Sequence, residues 1–167
     1  MNSKAQLSFF PLVAACLNLA GCAKEPGAAA PVVAPISPCE TLVLKAADLG
    51  GVLRAPITHA TALAGDGQSC AFLTTGFSAI TVSVRPGLGK ASLDAWSTGK
   101  MPLPVRPLNG VGDGAVWQDT LHEVIAQKND LLCDIQVRGG SDDIAVAADA
   151  LPENLGALCN RIFAAAP

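Results

Sequence analysis

The sequence predicts an α+β domain: an antiparallel sheet of about five or six strands with short helices and a C-terminal helix packed on it. Three observations lead there. Residues 79–85 alternate, with Ile80, Val82 and Val84 on one side and Thr81, Ser83 and Arg85 on the other, the two-residue period of a half-buried strand. Near the end of the chain Leu155, Leu158, Cys159, Ile162 and Phe163 recur at spacings of three and four, one helical stripe facing a core. Short turn signals, Gly65-Asp66-Gly67 and Asn129-Asp130 among them, separate the strand candidates and suit antiparallel hairpins.

Taken in order, residues 45–49 read as a short helix ended by Gly50-Gly51, and Pro56 blocks its continuation. Residues 57–63 alternate weakly, as an edge strand does. Residues 69–74 and 79–85 form the clearest hairpin, which Pro86-Gly87 ends. Residues 90–98 read as a helix with Leu93 and Trp96 three apart on one face and Gly99 as its stop. Residues 101–107 are Pro-rich and extended. Strands are expected at 114–119, 123–128 and 131–138, the last two joined through Asn129-Asp130. Pro152, tolerated in a first helical turn, opens the closing helix. The chain has no internal repeat, which excludes solenoids and propellers.

Ahead of this domain stands a different kind of sequence. Lys4 is the only charge before Lys24, residues 7–19 are apolar apart from Ser8, Pro11 and Asn18, and Leu19-Ala20-Gly21-Cys22 follows. A charged start, an apolar core and small residues before a cut are the parts of a secretory signal. The apolar core is about 13 residues long, short of the roughly 20 a membrane-spanning helix needs. Leu19-Ala20-Gly21-Cys22 resembles the lipobox of bacterial lipoproteins. That resemblance implies removal of residues 1–21 and acylation of Cys22 by a diacylglyceryl group, often with a third chain such as palmitate. Two or more chains anchor stably where one does not. By the same resemblance Ala23, in place of Asp, implies the outer membrane, facing the periplasm.

Residues 22–38 then form the lipidated cysteine and a tether, with Pro26, Pro31, Pro35 and Pro38 among alanines. Proline favours extended backbone at about 3.1 Å per residue, so the tether reaches up to roughly 50 Å. Residues 39–167 have the length of one domain. Loss of Lys4 leaves ten basic against fourteen acidic side chains, a formal charge of −4. The cations are scattered singly, which argues against nucleic acid and anionic lipid head groups as partners.

Of six cysteines, Cys16 leaves with the leader and Cys22 carries lipid. Cys39, Cys70, Cys133 and Cys159 remain, an even set in an oxidising compartment, which implies disulfides. Three pairings are possible. Cys39–Cys70 and Cys133–Cys159 is the expected one, because each joins successive cysteines at the ends of different elements. A four-cysteine zinc site is disfavoured, because no two of these cysteines have knuckle spacing; neither a metal nor a cofactor is expected.

The motifs that could carry chemistry each have a plainer reading. Gly110-Val111-Gly112-Asp113-Gly114 lacks the following helix that a dinucleotide loop needs and reads as a turn launching a strand. Gly89-Lys90 fails as a P-loop, with Val84 at the first glycine position and Ala91 where Ser or Thr would hold magnesium. His59 and His122 are the only histidines, and no G-x-S-x-G elbow is present. His122, between Asp119 and Glu123, reads as a solvated turn residue. Asp142-Asp143 lacks the periodic ligands of a calcium loop and reads as a helix-start signal. Trp96 and Trp117 read as core.

Pro38-Cys39, Cys70 in a strand, Gly110-Val111-Gly112-Asp113-Gly114-Ala115 and the closing Leu155-Gly156-Ala157-Leu158 together resemble the small cell-envelope lipoproteins of unknown function common in mycobacteria and other actinobacteria. Cys133 and Cys159 lie outside that pattern. The resemblance implies a structural or binding module and no catalytic residues. The expected function is a membrane-anchored, non-enzymatic module for an envelope protein or a small apolar ligand. The alternatives are a periplasmic inhibitor of a lysozyme or protease, with residues 101–108 and Arg106 as its protruding loop, and a hydrolase built on His59 or His122.

Overall fold

In a computed structural model, residues 38–63, 68–100 and 103–166 are described. The expected leader, Cys22 and the expected tether as far as residue 37 lie outside them. Two four-residue helices come first, α1 (Pro38–Thr41) and α2 (Ala46–Leu49). A hairpin sheet follows with β1 (Ile57–Ala62), β2 (Ser69–Thr74) and β3 (Ala79–Pro86). Helix α3 (Gly89–Ser97) leads to β4 (Arg106–Pro107), β5 (Gly114–Gln118), β6 (Glu123–Lys128) and β7 (Leu131–Arg138). A 3₁₀ turn at Ser141–Asp143 precedes α4 (Leu151–Ala165).

The α+β class stands, with a correction to its count. The sheet has seven strands, not five or six, in the order β1-β2-β3-β7-β6-β5-β4, with every neighbour antiparallel. The extra strand is β4, two residues at the sheet's edge, with Arg106 opposite Trp117 and Pro107 opposite Val116. Two residues have no period to read, and proline, lacking an N–H, pairs only at an edge. At the other edge β1 is mostly exposed and carries an irregularity between Ile57 and His59, a feature that blunts an edge against further pairing.

The two faces of the sheet differ. On one, α4 lays Leu155, Leu158, Cys159, Ile162 and Phe163 on Cys70, Phe72, Ile80, Val82, Trp117, Val124, Cys133, Ile135 and Val137, the main core. Leu44, Leu49, Val52 and Leu53 of the N-terminal segment join it. Disulfides tie Cys39 of α1 to Cys70 of β2 and Cys133 of β7 to Cys159 of α4, the pairing read from chain order. Arg161 of α4 also meets Asp48 of α2 at 2.8 Å; a bond from the Lys45 backbone N–H and then that guanidinium hold the Asp48 carboxyl below its ordinary value. On the opposite face α3 covers one end only, where Leu93 and Trp96 pack on Val116, Ile125 and Leu132.

The glycine turn before β5 is structural. Gly112 has φ +55, and a Cβ there would lie 2.2 Å from the Gln127 carbonyl oxygen. Its N–H donates to Asn160 Oδ1 (3.0 Å), Asn160 Nδ2 donates to Gly110 O (2.9 Å), and the Asp113 N–H donates to Gln127 O (2.8 Å). These groups dock α4 and β6.

Candidate functional site

The strongest surface feature is a turn that the sequence marks only as a connection. Between β2 and β3, Thr74 and Ser78 are buried while the three residues between them face solvent, and Phe77 is fully exposed. Thr74 holds the turn closed. Its N–H and Oγ1 both donate to Ser78 O (3.2 and 3.0 Å), Oγ1 lies 2.9 Å from Ser78 Oγ, and the Gly76 N–H donates to Thr74 Oγ1 (3.2 Å). The turn also abuts Gly139, whose missing Cβ would sit 3.0 Å from Ser78 Cβ. The Asp143 carboxylate fixes that neighbour by accepting the Gly140 N–H at 2.9 Å, so the helix-start reading of Asp142-Asp143 corresponds to a real cap. Phe77 is thus an aromatic side chain on a fixed mount at one end of the sheet.

At the same end, the turn from β5 to β6 presents His122. Its backbone is left-handed, φ 49, its carbonyl accepts the Val137 N–H (3.0 Å), and its ring stacks on Trp117 with centroids 6.3 Å apart. His122 is therefore half-buried, not a freely solvated turn residue. Cavities of about 340 and 290 Å³ lie on either side of it. The second holds His122, Asp119 and Ser141 over an apolar floor, yet among the described residues no hydrogen bond joins the His122 ring to either. Asp119 accepts Trp117 Nε1–H and lies 3.7 Å from Arg106 Nε. Arg106, expected on a protruding loop, sits in β4. His59 is exposed on β1, its Nδ1 3.1 Å from Thr58 Oγ1 of the preceding residue.

A third cavity, about 370 Å³, opens at the other end of the sheet beside Asn129, Asp130 and Phe163. Beside it the Gly87 N–H donates to Asp130 O, and the Asn129 N–H to Asp113 Oδ2.

The polar face of the sheet brings together charges that the sequence does not juxtapose. Glu123 of β6 stands opposite Gln136, and Asp134 stands opposite Ile125 and Ser83. Glu123 and Asp134 are therefore diagonal neighbours. Burial and then the Asp134 carboxylate push the Glu123 carboxyl up to about 8, while Arg138 and Arg85 pull it down. At neutral pH Glu123 is mostly protonated and hydrogen-bonded to Asp134. Arg138 Nε donates to Gln136 Oε1 (2.9 Å), and Ser69 and Ser83 pair through their hydroxyls. Among the described residues no group of three or more His, Cys, Asp or Glu is placed to hold a metal ion, and no helix is long and apolar enough to cross a membrane.

No family model, curated protein or solved structure matches this chain.

Sequence reading missed Phe77 and the pairing of Glu123, named there only as a flank of His122, with Asp134. A signal existed for the first, because an aromatic in a short turn beside Gly76 has no core to enter. For the carboxyl pair no local signal exists, since the contact depends on the register of β6 on β7.

Proposed function

We propose that the chain is a bacterial envelope lipoprotein, anchored at Cys22 and held on its Pro/Ala tether in the periplasm, most simply from the outer membrane. There it acts without catalysis, docking an envelope protein through the turn from β2 to β3. Phe77 carries this reading. Single exposed apolar residues are ordinary on protein surfaces. Phe77 differs in being fully exposed on a turn whose backbone is fixed by Thr74 and Ser78. A rigid mount loses little conformational entropy on binding, and burying a phenylalanine contributes about 1.5–3 kcal/mol.

The same observation favours a second, narrower reading, in which the partner is a lysozyme or protease and the hairpin tip enters its cleft. A hydrolase would need His59 or His122 to move a proton; the His122 ring has no hydroxyl or carboxylate hydrogen-bonded to it among the described residues, and the His59 ring meets the hydroxyl of its neighbour Thr58 on the exposed face of β1, outside the cavities described above. The test has two arms. Cys22→Ala should leave the protein unacylated and in the soluble fraction. Phe77→Asp should abolish capture of any envelope protein that the wild-type domain retains, with thermal stability unchanged. Equal capture by wild type and Phe77→Asp would remove Phe77 from the function.

A further inference from the structure

The smaller cavity beside His122 has the make-up of a ligand site and not of a packing fault. Its floor is Trp117, Ile144 and Leu151, all buried, with Val146 half-buried. Its polar groups are at the mouth, where His122 and Ser141 present side chains with no hydrogen-bond partner among the described residues. An apolar floor with a few polar groups at one side is the usual composition of a small-molecule site. The Trp117 indole is fixed twice, by its N–H on Asp119 and by the stacked His122 ring, so the floor is preorganised.

Volume and charge narrow the occupant. About 290 Å³ is near the lower limit of known ligand pockets, and a cavity of roughly 150 Å³ suffices for benzene. That admits one ring with a short substituent. The single carboxylate at the mouth, Asp119, takes both the Trp117 N–H and the Arg106 guanidinium on Oδ1, so a cationic ligand competes with Arg106 for its counter-charge. No Lys or Arg lines the cavity, so an anionic one has none. We infer that this cavity binds a small uncharged amphipathic molecule, its ring on Trp117 and Ile144 and a single hydroxyl or amide hydrogen-bonded to His122. This site is separate from the Phe77 contact.

The chain has two tryptophans and two histidines, so NMR of the domain reads the site directly. Benzyl alcohol is the probe. Saturable shifts are expected at the Trp117 indole N–H, assigned through Trp96→Phe, and at the His122 ring, with none at Trp96 or His59. Benzoate and benzylamine should bind at least about tenfold more weakly, a difference of about 1.4 kcal/mol. Ala148→Leu, at the exposed rim, should reduce benzyl alcohol binding by a similar factor, while Phe77→Asp should leave it unchanged. Absence of a saturable Trp117 shift would overturn the inference, as would equal affinity for the charged analogues. The charge series uses the wild-type protein and decides the matter even if Ala148→Leu misfolds.

Discussion

The two faces of the sheet are built on opposite principles. Under α4 every inward position is apolar, a disulfide crosses the interface, and Gly156 is so close to Val111 that a Cβ would come within 2.6 Å of its methyl. On the other face α3 covers one end, and the remainder holds Ser69, Ser83, Gln118 and Glu123 as buried polar groups. Stability therefore resides chiefly on the α4 face. Burial and cross-linking are concentrated on one side, and buried polar groups on the other.

The sharpest way to break this contrast is to cut into the apolar face. Leu155→Ala removes a fully buried side chain and should destabilise by about 2–5 kcal/mol, read by chemical denaturation. Replacing Cys133 and Cys159 together with alanine opens a loop spanning 26 residues and should cost about 3–4 kcal/mol. A loss below about 1 kcal/mol in either case would mean the polar face bears more of the stability than described.

The polar face should respond to pH instead. Glu123 has a folded value of about 8 against an ordinary 4.5. Between those values the folded protein holds a proton that the unfolded chain releases, so stability falls as pH rises through this window, by up to about 1.4 kcal/mol per pH unit. Glu123→Gln should flatten that slope between about pH 5 and 8, relative to wild type in parallel urea titrations. An unchanged slope would show that the Glu123–Asp134 pair does not share its proton as described. The smallest effect is expected at the sheet end: Phe77→Ser should change stability by no more than about 0.5 kcal/mol, because Phe77 rests on nothing.

Much of this architecture is legible in the residues themselves. Ile80, Val82 and Val84 alternate with Thr81, Ser83 and Arg85, so both the strand and its polar side are readable. Leu155 to Phe163 declare the helix and its buried stripe. What fails is whatever depends on length or register. Pro107 stands in a strand too short to have a period. Glu123 meets Asp134 only once β6 is set against β7. Trp96 and Leu93 read as one helical face, but which side of the sheet they cover is a tertiary fact. Arg106 looked free in a Pro-rich stretch until β5 was there to pair with it.

The Cys39–Cys70 bridge has a mechanical consequence. In the tethered protein proposed here, any pull between the membrane and a bound partner enters the domain at Cys39, the residue just after the tether. The bridge passes that tension straight into β2 and short-circuits the intervening chain, a separation of 31 residues. From Cys70 the strand runs directly to the turn that bears Phe77. The shortest covalent route from lipid to the Phe77 turn is therefore the tether, the first residues of α1, one sulfur–sulfur bond and a single strand, with α2 and β1 lying off the line of force.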